Sequence, residues 1–291
     1  MKERLLKLLA VVLAGILTGI AVYYGWKALR QEKEYQEGDK VYEEVAQTVT
    51  WRDIYEEAPA MRPEPFPAPY PENPGEPETV SPSAAPQAEA GELPRPAVDL
   101  PQVNFDMLEE MNGDVVAWLY CPDTAINYPV VKGRDNSYYL DHLIDGTENS
   151  NGTLFVDYQN RGDFSDRNTL IYGHHMQSGR MLAALTEYEF QDFYDAHPLI
   201  YLITRSGSYR IELFSAYTTE AASSAYALDF SSDGQFAAWL REIAAKSAFQ
   251  TNMQLSTKDR IITLSTCAYS FEDARFVVHG RLVSVEERSD D

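Results

Sequence analysis

Residues 261–285 read IITLSTCAYSFEDARFVVHGRLVSV and contain two apolar, β-branched runs, at 261–266 and 275–285. Val, Ile and Thr favour extended backbone because their branched side chains pack well on a pleated surface. The polar text AYSFEDA between the runs is typical of a loop. The stretch therefore predicts two strands joined by a loop, with Cys267 closing the first strand and Arg275 opening the second.

Strand-like text continues upstream of this stretch, interrupted by few long helical patterns. Six further strands are expected, at Val115–Cys121, Ala125–Val131, Thr153–Val156, Thr169–Tyr172, Leu199–Thr204 and Tyr209–Tyr217. A helix is expected at Gln235–Ser247, where apolar residues recur every three to four positions, and another begins at Asn104. About eight strands with few helices predict a mainly β fold, either a barrel or a sandwich decorated with helices.

The first thirty residues differ from the rest of the chain. Residues 8–26, LLAVVLAGILTGIAVYYGW, carry no charge and lie between Lys7 and Lys27, which is about the length of a membrane-spanning helix. A cleavable signal peptide is the alternative, since Gly19-Ile20-Ala21 loosely resembles a cleavage site. Basic residues on both sides of the span leave its orientation open. We predict an uncleaved N-terminal anchor over residues 1–30.

Composition separates a middle segment from a folded C-terminal one. Thirteen of the sixteen prolines lie between Pro59 and Pro101, in text too poor in apolar residues to fold. Residues 31–101 are therefore expected to form an acidic juxtamembrane stalk and a Pro-rich linker. For residues 32–58 a solvated, partly helical stalk is preferred over a juxtamembrane helix. The extended linker could reach on the order of 100 Å from the membrane, and residues 102–291 form the folded domain. The net charge of −21 argues against a nucleic-acid partner.

The chain has two cysteines, and their surroundings differ. Cys121 ends an apolar strand, where cysteine usually behaves as a small buried hydrophobe. Cys267 stands where a strand opens into a polar loop, a position from which a scaffold can present a nucleophile. A disulfide between the two is the competing interpretation for a protein outside the cytoplasm.

A nucleophilic thiol needs a base or a cation nearby, because a free thiol is mostly protonated at neutral pH. His174 and His175 follow strand 169–172 and Gly173, and in extended backbone only one of them would face a given cleft. A metal site lacks a third ligand at suitable spacing. Arg275, eight residues after Cys267, could stabilise a thiolate or an oxyanion. Together these residue types suggest acyl transfer.

Three motifs taken together resemble the sortase family, and more narrowly its class B, over residues 102–286. They are TLIYGHHM at 169–176, TLSTC at 263–267 and ARFVVHGRL at 274–282. Supporting text is INYPVVKGRDNSYYLDH at 126–142, GTLFVDYQN at 152–160, LFSAYTT at 213–219 and the helix FAAWLREIAAKS at 236–247.

The resemblance implies a closed eight-stranded β-barrel that carries Cys267, His174 and Arg275 as catalytic residues, with no cofactor and no metal. It places five further side chains in the groove that binds the sorting signal: Asn136, Leu140, Tyr172, Tyr226 and Ser265. Ala268 stands where some relatives have a polar or acidic residue, so contacts next to the thiol are expected to differ.

The resemblance also implies a cell-membrane enzyme with one span and an extracellular catalytic domain. Its partners would be surface proteins that bear a C-terminal sorting signal and a peptidoglycan precursor or another amine acceptor. Three alternatives stay open: a pilin-polymerising sortase with a Lys acceptor, a secreted cysteine peptidase, and a tethered receptor domain with a Cys121–Cys267 disulfide.

Overall fold

The chain begins with one long helix, α1 (Lys2–Ala46). The structure is a computed structural model, and it describes residues 2–51, 100–267 and 273–285. Between Val12 and Leu29 the apolar residues of α1 are exposed, with Leu17 and Val22 more than half open. By length and composition α1 could cross a membrane.

The second half of α1 differs from the solvated, partly helical stalk that we expected there. The helix continues past residue 30 to Ala46, and Tyr42 and Val45 are buried. Three residues apart, these side chains share one face of the helix, and burial against the rest of the protein stabilises that face. The helical alternative for the text from residue 32 is therefore the one found as far as Ala46.

A short sheet joins the two sides of the proline-rich segment. β1 (Val49–Trp51) and β2 (Pro101–Val103) form a two-stranded sheet, and the Asn104 amide donates to the Thr48 carbonyl at 2.8 Å. The chain therefore leaves and re-enters this sheet at neighbouring points. Helix α2 (Phe105–Met111) follows, and the Asn104 side chain caps it as the sequence predicts.

Eight strands close into a barrel. They are β3 (Val115–Tyr120), β4 (Asn127–Val131), β5 (Leu154–Val156), β6 (Asn168–Tyr172), β7 (Leu199–Thr204), β8 (Gly207–Glu220), β9 (Ile261–Cys267) and β10 (Ala274–Ser284). Their order around the barrel is β10-β8-β7-β3-β4-β5-β6-β9, and β9 pairs with β10 to close it. The predicted eight strands are confirmed, and of the two predicted architectures the barrel is the correct one.

Two strand pairs in the barrel are parallel, β4 with β5 and β6 with β9, and the other pairs are antiparallel. Parallel neighbours need a long connection. The one from β6 to β9 contains α3 (Gln191–Ala196), β7, β8 and α4 (Asp233–Ala245). The carboxyl ends of β6 and β9 consequently meet at one edge of the barrel although about ninety residues separate them.

Helix α4 covers one side of the barrel, as its apolar periodicity predicts. Phe236, Trp239, Leu240 and Ile243 are buried in a cluster with residues of β8, β9 and β10. The helix begins two residues earlier than expected because the Ser232 side chain caps it by accepting from the Gln235 amide.

Candidate active site

The site is built at the carboxyl ends of β6 and β9. In this parallel pair Tyr172 lies opposite Ser265, and the Gly173 amide donates to the Ser265 carbonyl at 3.1 Å. His174 and Cys267 each come two residues later, so their backbones leave the barrel side by side. Carboxyl ends of parallel strands are common places for reactive side chains because the loops there converge.

β10 brings the arginine to the other side of β9. In this antiparallel pair Arg275 lies directly opposite Cys267, and on the far side of β10 it lies opposite Thr219 of β8. Directly opposed residues in an antiparallel pair have their Cβ atoms about 5 Å apart. The Cys267 side chain lies outside what the structure describes, and so do residues 268–272, among them Ala268. The strand register nevertheless places Cys267 opposite Arg275, with His174 two residues beyond the end of the neighbouring strand β6.

The imidazole of His174 has a defined partner. Its Nε2 lies 2.6 Å from the carbonyl oxygen of Leu140. A carbonyl oxygen only accepts hydrogen bonds, so Nε2 carries the hydrogen and Nδ1 is the nitrogen that can exchange a proton. The His174 backbone is held as well, since its carbonyl accepts from the Leu182 amide at 3.0 Å. His175 instead forms an isolated backbone bridge with Met181.

Gly152 packs directly against His174 and has a backbone that favours glycine. Its φ is +58°, and a Cβ built on it would lie 2.6 Å from the Tyr139 carbonyl oxygen and 3.1 Å from His174 Cδ2. Any side chain at this position would displace either the imidazole or the turn that holds Leu140.

Two of the predicted groove residues, Asn136 and Tyr172, converge on Asp157, a residue that the sequence analysis missed. Asn136 Nδ2 and Tyr172 Oη both donate to Asp157 Oδ2, at 2.8 and 3.0 Å. Asp157 itself is 3% exposed. Burial, reinforced by the Asp157 carboxylate, raises the pKa of Tyr172 well above its usual value. Asp157 follows the strand text of 152–156 directly, which was the available signal. Tyr226 Oη lies 2.9 Å from Ser265 Oγ, and its ring stacks on that of Tyr172 with centroids 6.3 Å apart.

Leu140, the fifth predicted groove residue, reaches the site in two ways. Its carbonyl accepts from His174, and its side chain is 41% exposed. The structure therefore brings all five predicted groove residues to the edge of the barrel where β6 and β9 end.

Cys121 lies elsewhere in the barrel. It is a free, buried cysteine, with its Sγ 3.7 Å from Tyr188 Oη and 3.9 Å from the Leu199 carbonyl. Burial raises the pKa of its thiol, which makes it less reactive. It directly follows β3, which pairs with β4 and β7 rather than β9. The Cys121–Cys267 disulfide of the receptor alternative is therefore not formed.

His279 is also remote from the site, and it is packed rather than on the surface. It is fully buried, with Nδ1 2.9 Å from Thr263 Oγ1 and Nε2 3.2 Å from Tyr217 Oη. Burial, with a smaller effect of Lys246, lowers its pKa to about 3. Among the described residues, no group of three or more His, Cys, Asp or Glu side chains could hold a metal ion.

The closed barrel brings a histidine, a cysteine and an arginine together at the ends of three neighbouring strands, an arrangement typical of thiol-dependent acyl-transfer enzymes. The model of the sortase domain matches residues 119–283, more than half of the chain. The chain belongs to the sortase family, and its relatives assign it to class B, whose members are cysteine transpeptidases.

The relatives support this assignment at the level of sequence. Sortase B of Listeria monocytogenes is 38% identical over 179 residues, which are 61% of this chain and 73% of the relative. Sortase B of Staphylococcus aureus is 35% identical over 183 residues, 62% of this chain and 75% of the relative.

Solved structures of sortase B support the same assignment at the level of the fold. A Staphylococcus aureus sortase B–substrate complex has a TM-score of 0.60 at 35% identity and covers 62% of this chain and 85% of that one. Sortase B from Bacillus anthracis in complex with AAEK1 has a TM-score of 0.58 at 37% identity, covering 62% and 84%.

Proposed function

We propose that this chain is a membrane-anchored class B sortase that cleaves a C-terminal sorting pentapeptide and transfers the protein to an amine of a cell-wall peptide. The proposal rests on one observation above all: the parallel register of β6 and β9, which makes His174 and Cys267 neighbours, with Arg275 opposite Cys267 on β10.

In the first half-reaction the Cys267 thiolate attacks the carbonyl carbon at the cleavage point of the pentapeptide, and the carbonyl oxygen becomes an oxyanion. Arg275 stabilises that charge. When the intermediate collapses, the C–N bond breaks and His174 gives its Nδ1 proton to the departing amine. A thioester between Cys267 and the substrate acyl group remains.

In the second half-reaction the acceptor amine attacks the thioester carbonyl. His174, now neutral, takes a proton from that amine, and the new amide forms as the Cys267 thiolate leaves. The hydrogen bond from Nε2 to the Leu140 carbonyl is compatible with both protonation states of the ring, because only Nδ1 changes.

The groove and the anchor complete the proposal. Asn136, Leu140, Tyr172, Tyr226 and Ser265 contact the sorting signal, whose protein is displayed on the cell surface. The exposed apolar part of α1 is the single membrane span, with residues 102–291 as the extracellular catalytic domain. The exposed apolar side chains between Val12 and Leu29 support a lipid environment for that part.

The test uses the full chain in detergent micelles with a library of sorting-type pentapeptides, with and without an amine acceptor. Mass spectrometry should show ligation when the amine is present and slow hydrolysis without it. Water as the preferred acceptor in both samples would identify a cysteine peptidase instead.

Variants assign the residues in the same assay. Cys267→Ala, His174→Ala and Arg275→Ala should each lower ligation by at least a hundredfold, as expected for groups that act in the transition state. Cys121→Ala removes the other thiol and should leave ligation close to wild type. Loss of activity in His175→Ala with retention in His174→Ala would reverse the assignment of the base.

A further inference from the structure

The end of α1 packs on two loops that contact His174. One is loop 149–153, and the other is the loop that follows His174 in the sequence and contains Arg180. The docked segment, residues 34–48, includes Tyr42 and Val45, which are 7% and 0% exposed. Gly38 lies where the helix approaches most closely, because a Cβ there would lie 2.5 Å from Asn151 Nδ2 and 2.9 Å from Asn149 Oδ1. A side chain at this position would have to displace the amide groups of these two asparagines.

The first contact is with loop 149–153. The Tyr42 hydroxyl donates to the Gly152 carbonyl in a short hydrogen bond and lies 3.2 Å from Thr153 Oγ1. About two turns earlier, Glu34 accepts from the Asn149 side chain through its carbonyl, at 2.8 Å, and from the Ser150 amide through its carboxylate, at 2.9 Å. Backbone and side-chain groups of this loop are thus held by the helix.

Loop 149–153 in turn holds the imidazole of His174. Gly152 packs against its Cδ2 face, and the Thr153 amide donates to the Tyr139 carbonyl at 2.9 Å. That bond fixes the turn whose next residue, Leu140, accepts from His174 Nε2. A displacement of Gly152 would therefore move both the surface beneath the imidazole and its hydrogen-bond partner.

The second contact is with the loop that follows His174. Asp39 pairs with Arg180 at 3.1 Å. Two residues after Arg180, the Leu182 amide donates to the His174 carbonyl at 3.0 Å. The Tyr42 ring also meets that of Tyr128 edge-on, and the Tyr128 hydroxyl accepts from the Met181 amide at 3.3 Å. The helix thereby holds His174 from its backbone side as well.

We propose that Tyr42 and Asp39 are positioning residues for His174, so that the anchor helix completes the active site when it docks. The inference rests on the proposed function, for which it names a further structural requirement. It makes the activity of the barrel depend on a segment outside the barrel, and that segment is continuous with the apolar part of α1.

The test compares matched Tyr→Phe substitutions in the full chain in detergent micelles. Tyr42→Phe removes the hydroxyl that bonds Gly152 and keeps the ring. Tyr35→Phe, two turns earlier, removes a hydroxyl that contacts only Gln31 of the same helix among the contacts described. We expect kcat for ligation to fall about fivefold in Tyr42→Phe, the usual effect of one hydrogen bond, with KM within twofold of wild type. Tyr35→Phe should match wild type.

A second measurement separates positioning from stability. With labelled histidine, the His174 ring resonances, assigned by their loss in His174→Ala, should shift in Tyr42→Phe and not in Tyr35→Phe. Asp39→Asn tests the other loop and should act in the same direction, which keeps the inference testable if Tyr42→Phe does not fold. Normal kcat and unshifted His174 resonances in both variants would overturn it, as would a change in KM alone. If the wild type ligates nothing, the proposed function fails, and the ring resonances still decide the positioning.

Discussion

At the scale of single residues, Asp157 organises the groove side of the site. One of its oxygens accepts from both Asn136 and Tyr172, and the other accepts from the Gln159 amide at 2.9 Å. Hydrogen bonds to an ionised, buried acceptor are stronger than those between neutral groups. Asp157 therefore fixes two side chains that are expected to contact the sorting signal. Asp157 itself has no proposed part in the chemical step.

Replacing Asp157 by Asn tests this role. The change removes the negative charge and places an amide N–H group next to side chains that themselves donate hydrogen bonds. We therefore expect the free energy of unfolding to fall by about 1–3 kcal/mol. The pKa of Tyr172 should also fall towards its ordinary value, because the carboxylate is one cause of its elevation. Urea unfolding and absorbance titration of the phenolate measure the two effects.

Asp229→Asn is the matched control, since Asp229 is exposed. It should change the free energy of unfolding by no more than about 0.5 kcal/mol. An equal effect of the two substitutions, or an unchanged Tyr172 titration in Asp157→Asn, would contradict the assigned role.

At the scale of elements, His279 joins three strands of the barrel. It lies on β10 and contacts Thr263 of β9 and Tyr217 of β8, and its ring also meets that of Trp239 of α4. Its burial keeps the ring neutral in the folded state, whereas the unfolded chain binds a proton below a pH of about 6.5. Folding therefore becomes less favourable as the pH falls from about 6.5 towards 3.

His279→Gln removes this pH dependence. The wild type should exceed the variant in free energy of unfolding by a margin that shrinks by about 1.4 kcal/mol between pH 7.5 and 5.5. His142→Gln provides the opposite case. Burial would lower the pKa of His142, but its hydrogen bonds to the Tyr138 carbonyl and the Asp141 carboxylate raise it on balance. The margin over that variant should not shrink. A margin over His279→Gln that is independent of pH would contradict the account.

The strands were predictable from sequence because each has its own run of β-branched and aromatic residues. Their pairing was less accessible: the parallel contact of β6 with β9 joins segments about ninety residues apart, and no local pattern records it. Cys267 and Arg275 were candidates from their positions at strand ends, and the resemblance favoured His174 over His175. Asp157 was missed because a lone Asp after a strand is common in loops. The docking of the second half of α1 was missed because a weakly apolar, charged helix that packs on a barrel and a solvated, partly helical stalk have similar composition.

At the scale of the whole molecule, the proposed membrane anchoring would make α1 the element that determines how far the barrel stands from the membrane. Trp26 closes the uncharged stretch, and Glu34 already contacts the barrel loops. Eight helical residues span about 12 Å, compared with the ~100 Å reach expected for an extended linker. With β1 and β2 paired, the proline-rich segment leaves and returns at one place. We therefore expect α1, rather than that segment, to set the distance.

Replacing residues 53–99 by Gly-Ser tests this expectation. Ligation should be retained in vesicles for both a soluble peptide and a lipid-anchored one, because the docked helix is unchanged. Stability should stay the same or rise by up to about 2 kcal/mol, since a shorter loop costs less entropy to close. If the segment were the required spacer, the lipid-anchored substrate alone would lose its activity.

The central claim is that Cys267, served by His174 and Arg275, carries the acyl group between donor and acceptor. The most direct test is the intact mass of the full chain after mixing with a reactive sorting peptide and no amine. We predict an acyl adduct on the peptide that contains Cys267, released on adding the amine and absent in Cys267→Ala. An adduct that persists in Cys267→Ala or maps to Cys121, or ligation without any adduct on Cys267, would contradict the account.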